Sequence, residues 1–382
     1  MKTENEALVR LFHDNPENAP DLLYLSGFMA PDALTLLEVR GTKVLAVSPL
    51  EYGRAVKTAK VDRIVDTASI LPAAKASFGD GLSPESLIIL SLCKEYGVGR
   101  VEVPRVFPVA LADELRRKGL ELHPSASAQV NERLLKSESE VEHIRDAVRI
   151  TEDALAMVRE RLGAASVGKD GVLYWGGEVL TAERVHVWVE TLCLEKGAVA
   201  HHPIVAGGDQ ACDPHERGSG PLRAGELIIV DLFPRSKSSH YWGDLTRTFF
   251  KGKPGMEQRK LVDAVRSAQL IALDRIADGV VAGDVHAEVE SHFNSLGYRS
   301  EVSGGTYTGF FHGTGHGLGL DIHEAPRLGR NVPVVLRSGM VVTVEPGLYY
   351  PGVGGCRIED DVVVRAGGCE LLSHFDYDWI LD

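Results

Sequence analysis

Long hydrophobic runs are missing from this sequence. Apolar stretches such as LIIV (227–230) and MVVTV (340–344) fall far short of the roughly 20 residues that cross a bilayer, so no membrane partner is expected. Basic charge is also scarce. Lys and Arg number 41 against 54 Asp and Glu, a net charge of −13 with no basic cluster, which argues against nucleic acid or an anionic membrane as partner. Cysteine is rare, with five residues (93, 193, 212, 356 and 369) and no CxxC pair; free thiols in a reducing cytoplasm are expected. The start, MKTENEALVRLFHDNPENAP, lacks the apolar centre of a secretory signal.

Several catalytic motifs are absent as well. GTGHGLG is not GxGxxG, because position 318 is Leu, and no GxxxxGK[ST] phosphate loop occurs. HEAPRLG is not HExxH. GSGP (218–221) lacks the spacing of a nucleophile elbow, and no Ser/His/Asp set stands out.

With 382 residues, 44% hydrophobic and 25% charged, the chain has room for two domains. Up to about residue 130 it alternates short strands (35–39, 43–48, 62–66, 99–104) with a helix over 112–119. That pattern predicts a small N-terminal α/β domain over 1–135, with no clustered site. A helix then opens near Ser137, with Val141, Ile144, Val148, Ile150, Leu155 and Val158 at helical spacing and acidic residues in its first turns.

From 136 to 382 the same plan runs twice, predicting pseudo-twofold halves. Helices at 139–162 and 181–197 precede the strands GELIIVDLF and GDLTRTFF. Helices at 257–278 and 283–297 precede GMVVTVEPGLYY and GCRIEDDVVV. Each pair of strands carries two acids near its loop. Asp231 and Asp244 are 13 apart, and Glu345 and Glu359 are 14 apart.

One acid at the end of an apolar strand is ordinarily a strand terminator. Four at matched places are different: if the hairpins face each other in one sheet, the carboxylates converge and repel, and divalent cations cancel that charge. A glycine-rich stretch, FFHGTGHGLGLDIHEAP (310–326), supplies His312, His316 and His323 as candidate imidazoles. An oxygen-rich site with one imidazole suits Mn²⁺ foremost, then Co²⁺ or Zn²⁺.

At these residues the sequence resembles the pita-bread metallopeptidases of family M24, in the group of aminopeptidase P and prolidase. The pattern VD…GDLTRT…HGTGHGLGLDIHE…VEPGLY…RIEDD carries the likeness, and LLYLSGFMAPDALTLLEVRG (22–41) is similar to the N-terminal domain of that group. The resemblance implies a mixed α/β (α+β) fold holding two divalent ions. Asp231 would bind one, His316 and Glu345 the other, and Asp244 and Glu359 both. It also implies a bridging hydroxide as nucleophile and Glu345 as proton shuttle. His215 would steady the transition state, His312 and His323 would contact substrate, and Arg357 would lie near the proton path.

The implied substrate is a small peptide with proline at P1′: an Xaa-Pro dipeptide, or alternatively a longer peptide as for Xaa-Pro aminopeptidase. Other C–N or P–O bonds form a further class. A non-catalytic binding module is the remaining reading; it predicts lost ligands, whereas all five are present. A homodimer is implied too. Three departures stand out: 12 residues between Asp231 and Asp244 where relatives commonly have 10, VDLFP in place of VDxG, and His201 where tyrosine is common. His201 is a candidate substrate contact.

Overall fold

The computed structural model describes residues 9–303 and 305–382; the first eight residues of the polar N-terminal stretch lie outside them. Two compact units form, one up to Arg133 and one from Leu134 onward.

In the first unit the strands Leu34–Val39, Thr42–Val47, Arg63–Asp66 and Arg100–Val103 stand where hydrophobic alternation places them. Arg10–Asp14 enters between Leu34–Val39 and Arg100–Val103, antiparallel to the former and parallel to the latter. With Glu121–Pro124 at one edge this makes a six-stranded mixed sheet. The helix Val109–Arg117 starts earlier than the 112–119 segment because Pro108 stands at its N-cap. It stops before Gly119, whose φ of +87 no helix accommodates. Leu11, Leu37, Val44, Ile89, Val101 and Leu115 form one buried cluster of this unit.

The second unit opens with the helix Glu138–Ala164. Its N-terminus is closed by a reciprocal capping box between Ser137 and Glu140. Val141, Ile144, Val148, Leu155 and Val158 are buried along it, and Ile150 is half-buried at the stripe's edge. Three further helices follow at Ala182–Glu195, Met256–Arg275 and Ala282–Ser295. The last two pack with Phe250, Val342 and Val362 in a common core.

The strands depart from expectation in one respect that matters. GMVVTVEPGLYY is not one strand: Val341–Val344 ends before Glu345-Pro346, and Gly347–Tyr350 begins after them. Proline cannot donate to a ladder, so pairing breaks there. GCRIEDDVVV likewise divides into Gly354–Arg357 and Asp360–Arg365, with Glu359 in the break. The inner pair forms its own two-stranded ribbon.

The carboxylate hairpins therefore do not share one sheet. Leu227–Leu232 and Leu245–Lys251 belong to a four-stranded sheet, whereas Val341–Val344 and Asp360–Arg365 belong to a five-stranded one. Cross-links close the gap. Glu359 N donates to Thr246 O at 3.1 Å. Thr248 Oγ1 donates to Arg357 O at 2.9 Å, and Asp244 N donates to the Asp361 carboxylate at 2.9 Å.

Gly243, just before Asp244, lies against the long helix, where an added Cβ would stand 2.5 Å from Val148 N. Gly243→Ala is therefore expected to destabilise the protein by about 1–3 kcal/mol through overpacking, read by chemical denaturation. An unchanged midpoint would show that the helix moves freely away from this strand.

Candidate metal centre

Alternation along Leu245–Lys251 puts Asp244, Thr246 and Thr248 on one face and Arg247 on the other. The break at Glu359 aims its side chain at that same face. Thr246 Oγ1 donates to Glu359 Oε2 at 2.7 Å. His316 reaches the cluster from the strand Gly315–Gly317. Gly315 must be glycine for that, since a Cβ there would lie 1.9 Å from Thr343 O.

The ligand atoms of Asp244, His316 and Glu359 lie within 4.8 Å of one another. His316 Nε2 is 3.7 Å from Asp244 Oδ2 and 3.5 Å from Glu345 Oε1. Its Nδ1 is 3.1 Å from Gly317 O. A carbonyl only accepts, so the proton sits on Nδ1 and the Nε2 lone pair faces the carboxylates. Asp231 is held by Arg357, whose Nη2 donates to Asp231 Oδ2 at 2.6 Å, while Asp231 Oδ1 is buried with no hydrogen-bond partner.

Burial and mutual repulsion act together here. Asp244 is pushed well above the usual carboxylate range, first by burial and then by Glu359, Asp231, Asp361 and Glu345. Glu359 rises likewise, through burial and the charges of Glu345 and Asp231. Glu345 is pushed up to about 7, burial outweighing the opposing pull of Arg357. Burial drives His316 down to about 3, with His323 adding to it. A neutral imidazole, crowded carboxylates and an unpartnered buried oxygen together fit a divalent cation.

A cavity of about 720 Å³ opens on this cluster. His215, His312, His323 and Arg357 line it beside the five acid and imidazole groups. His201 does not: it is exposed, and its ring packs against Trp242 at 5.3 Å between centroids.

Two further residues beside the cluster escape the sequence patterns described above. Tyr349 lies on the same face of the ribbon as Arg357, and Arg357 Nη1 donates to its hydroxyl at 2.9 Å. The hydroxyl in turn donates to His312 Nε2 at 2.8 Å, because His312 Nδ1 donates to Gly313 O at 2.7 Å. Gly347 leaves the room; a Cβ there would lie 2.4 Å from the hydroxyl. Burial and the Arg357 charge push His312 down to about 3. Arg327 is the second, an exposed guanidinium on the cavity wall. The glycine at 347 was a signal for the first; nothing local marked the second.

Comparison with known proteins gives a consistent picture. Residues 142–366 match the model of metallopeptidase family M24. The chain is 31% identical over 262 residues to the uncharacterized peptidase YqhT of Bacillus subtilis, covering 68% of each chain. It is 29% identical over 289 residues to an Xaa-Pro dipeptidase of Pyrococcus horikoshii, covering 74% of this chain and 76% of that one. Among solved structures, an Xaa-Pro dipeptidase from Bacillus anthracis superposes with a TM-score of 0.80 at 25% identity, over 97% of this chain and 94% of the other.

The raised carboxylates set a pH dependence. Below pH 7 the metal-free fold keeps Glu345 protonated, and the stability this protonation lends is lost as pH rises through about 7. A cation must displace those protons, so its affinity rises from pH 6 to pH 8. The increase in Tm on adding Mn²⁺ is therefore expected to be larger at pH 8, with protons released to the buffer at pH 6.5. Occupancy at a hundred times Kd stabilises by about 2.7 kcal/mol. Equal Tm increases at both pH values would contradict the assignment.

Proposed function

Since the chain belongs to metallopeptidase family M24 and carries the pita-bread fold after an N-terminal α/β domain in the sequence, we propose that it hydrolyses the peptide bond before proline in Xaa-Pro dipeptides, with residues 136–382 forming the catalytic domain. The observation that carries this reading is the convergence of Asp244, His316 and Glu359, with Glu345 and Asp231 beside them, on the floor of one cavity. Asp231 would hold one cation, His316 and Glu345 a second, and Asp244 and Glu359 both. When bound, such ions, Mn²⁺ foremost, supply Lewis acidity that makes water a nucleophile at neutral pH.

The chain's own groups do the rest. Glu345, on the cavity lining beside His316, takes a proton from water at a carboxylate oxygen and passes it to the leaving proline nitrogen. That nitrogen bears no hydrogen in the substrate, so recognition rests on the carbonyl and the peptide's ends. The Arg357–Tyr349–His312 chain keeps His312 neutral and oriented in the cleft. His215 and His323 face the same space as donors to the oxyanion and substrate.

Arg327 favours the dipeptidase reading over aminopeptidase action on longer chains. Arg327 stands directly across the strand pair from His316 and lines the cavity; a guanidinium there is suited to a free carboxylate, which a dipeptide presents one residue from the scissile bond. Five unpaired cysteines accord with a cytoplasmic setting, and the homodimer rests on the family resemblance.

After Mn²⁺ loading, Xaa-Pro dipeptides are expected to be cleaved faster than Xaa-Pro-Xaa tripeptides; cleavage of neither would refute the reading. Asp244→Ala or Glu359→Ala should lower kcat/KM by several kcal/mol, roughly 10³-fold, with loss of bound metal. Arg327→Ala should raise KM for dipeptides by about 10- to 100-fold, the worth of a charged hydrogen bond, and leave tripeptides nearly unaffected. An equal effect on both lengths would assign the guanidinium elsewhere.

A further inference from the structure

The lengthened segment after Asp231 is a built wall of the cleft. The strand that carries Asp231 ends at Leu232, and Phe233, the next residue, lines the same cavity as Asp231. Ile204 stands directly across the ladder from Asp231. Both Phe233 and Ile204 line the main cavity, together with Ile322 from the turn that carries His323.

The segment is held on several sides. Pro234–Ser236 pairs antiparallel with Ala198–Ala200. Tyr241 OH donates to Glu140 Oε1 of the long helix at 2.7 Å. Trp242 ties the segment to the opposite loop: its backbone N donates to Gly319 O at 3.0 Å and its indole Nε1 to Leu320 O at 3.2 Å. The loops bearing Phe233 and Ile322 are thus bonded to each other, and neither yields without breaking those bonds.

Resting on the Xaa-Pro reading, we propose that Phe233, with Ile204 and Ile322, is a specificity-determining wall that limits the size of the Xaa side chain. The proline carboxylate is drawn to Arg327, which leaves the apolar face beside Asp231 to the residue before proline. A phenyl ring there excludes volume that a smaller residue would open. Apolar walls of this kind discriminate by about 1–3 kcal/mol per methylene-sized change, so small aliphatic Xaa residues are favoured over aromatic ones.

The test compares kcat/KM for Ala-Pro, Leu-Pro and Phe-Pro in the Mn²⁺-loaded wild type, Phe233→Leu and Phe233→Ala, with Tm and metal content measured on each. The expected result is a Phe-Pro to Ala-Pro ratio that rises about tenfold or more in Phe233→Ala and by less in Phe233→Leu. The gain lies in KM for the bulky substrate. A ratio unchanged in both variants, with both substrates slowed by one factor, overturns the wall and leaves a purely structural Phe233. Should Phe233→Ala fail to fold, the leucine variant decides by the same ratio. A wild type that cleaves none of the three refutes the Xaa-Pro reading itself, and the wall with it.

Discussion

The rest of the catalytic unit answers to one constraint, the confinement of several carboxylates where water is scarce. Asp231, Asp244, Glu345, Glu359 and Asp361 act on one another electrostatically, and Arg357 supplies a single positive charge against them at Asp231. Placing unneutralised acids in such surroundings is so unfavourable that they take up protons or bind cations. The fold accepts that penalty because the donors around them are fixed. The Thr246 hydroxyl reaches Glu359, the Asp244 backbone N–H reaches Asp361, and Arg357 reaches Asp231.

Those donors are fixed because the strands alternate. The face behind the site carries Arg247 and Asp360, each adjacent in sequence to a group in front. Arg247 Nη2 donates to Asp360 Oδ1 at 2.8 Å, and Nη1 donates to Glu359 O at 2.7 Å. Asp360 also accepts from Gln269 and from Tyr377 OH, at 2.7 and 2.9 Å. This buried pair joins both sheets, a helix and the C-terminal segment directly behind a proposed ligand. Pairs so fully hydrogen-bonded add little net stability, but removing one partner costs about 3–5 kcal/mol. The pair stands where the strand Asp360–Arg365 begins, just after Glu359.

How much of this could be read in the sequence follows from how local each feature is. The acids after LIIV and MVVTV are legible because a strand's pattern and its terminal residue are neighbours in the chain. Gly313, Gly315 and Gly317 flag His316 for the same reason. The division of GMVVTVEPGLYY was also within reach, since Pro346 cannot extend a ladder. The Tyr349 hydroxyl between His312 and Arg357 is not local: its partners lie 37 and 8 residues away, and the geometry depends on a hairpin register that no spacing encodes. Arg327 follows a histidine-rich run yet reads as an ordinary surface arginine until the cavity exists around it. His201 shows the reverse, since a position matched to a tyrosine turned out to pack on Trp242.

The two halves repeat a plan and then diverge in what they contribute. In the second half the chain between Glu345 and Glu359 makes a tight two-stranded ribbon whose inner face is Tyr349 and Arg357, a polar device for orienting His312. In the first half the corresponding chain between Asp231 and Asp244 is anchored outward, to Ala198–Ala200 and to the long helix, and its inner face offers Phe233. A longer connection would ordinarily be a looser one, because closure entropy grows with length. Here the additional residues are absorbed into strand pairing and the Trp242 bonds, so length is converted into a fixed apolar surface. The carboxylate cluster and the apolar space beside Asp231 are thus shaped by separate parts of the hairpin.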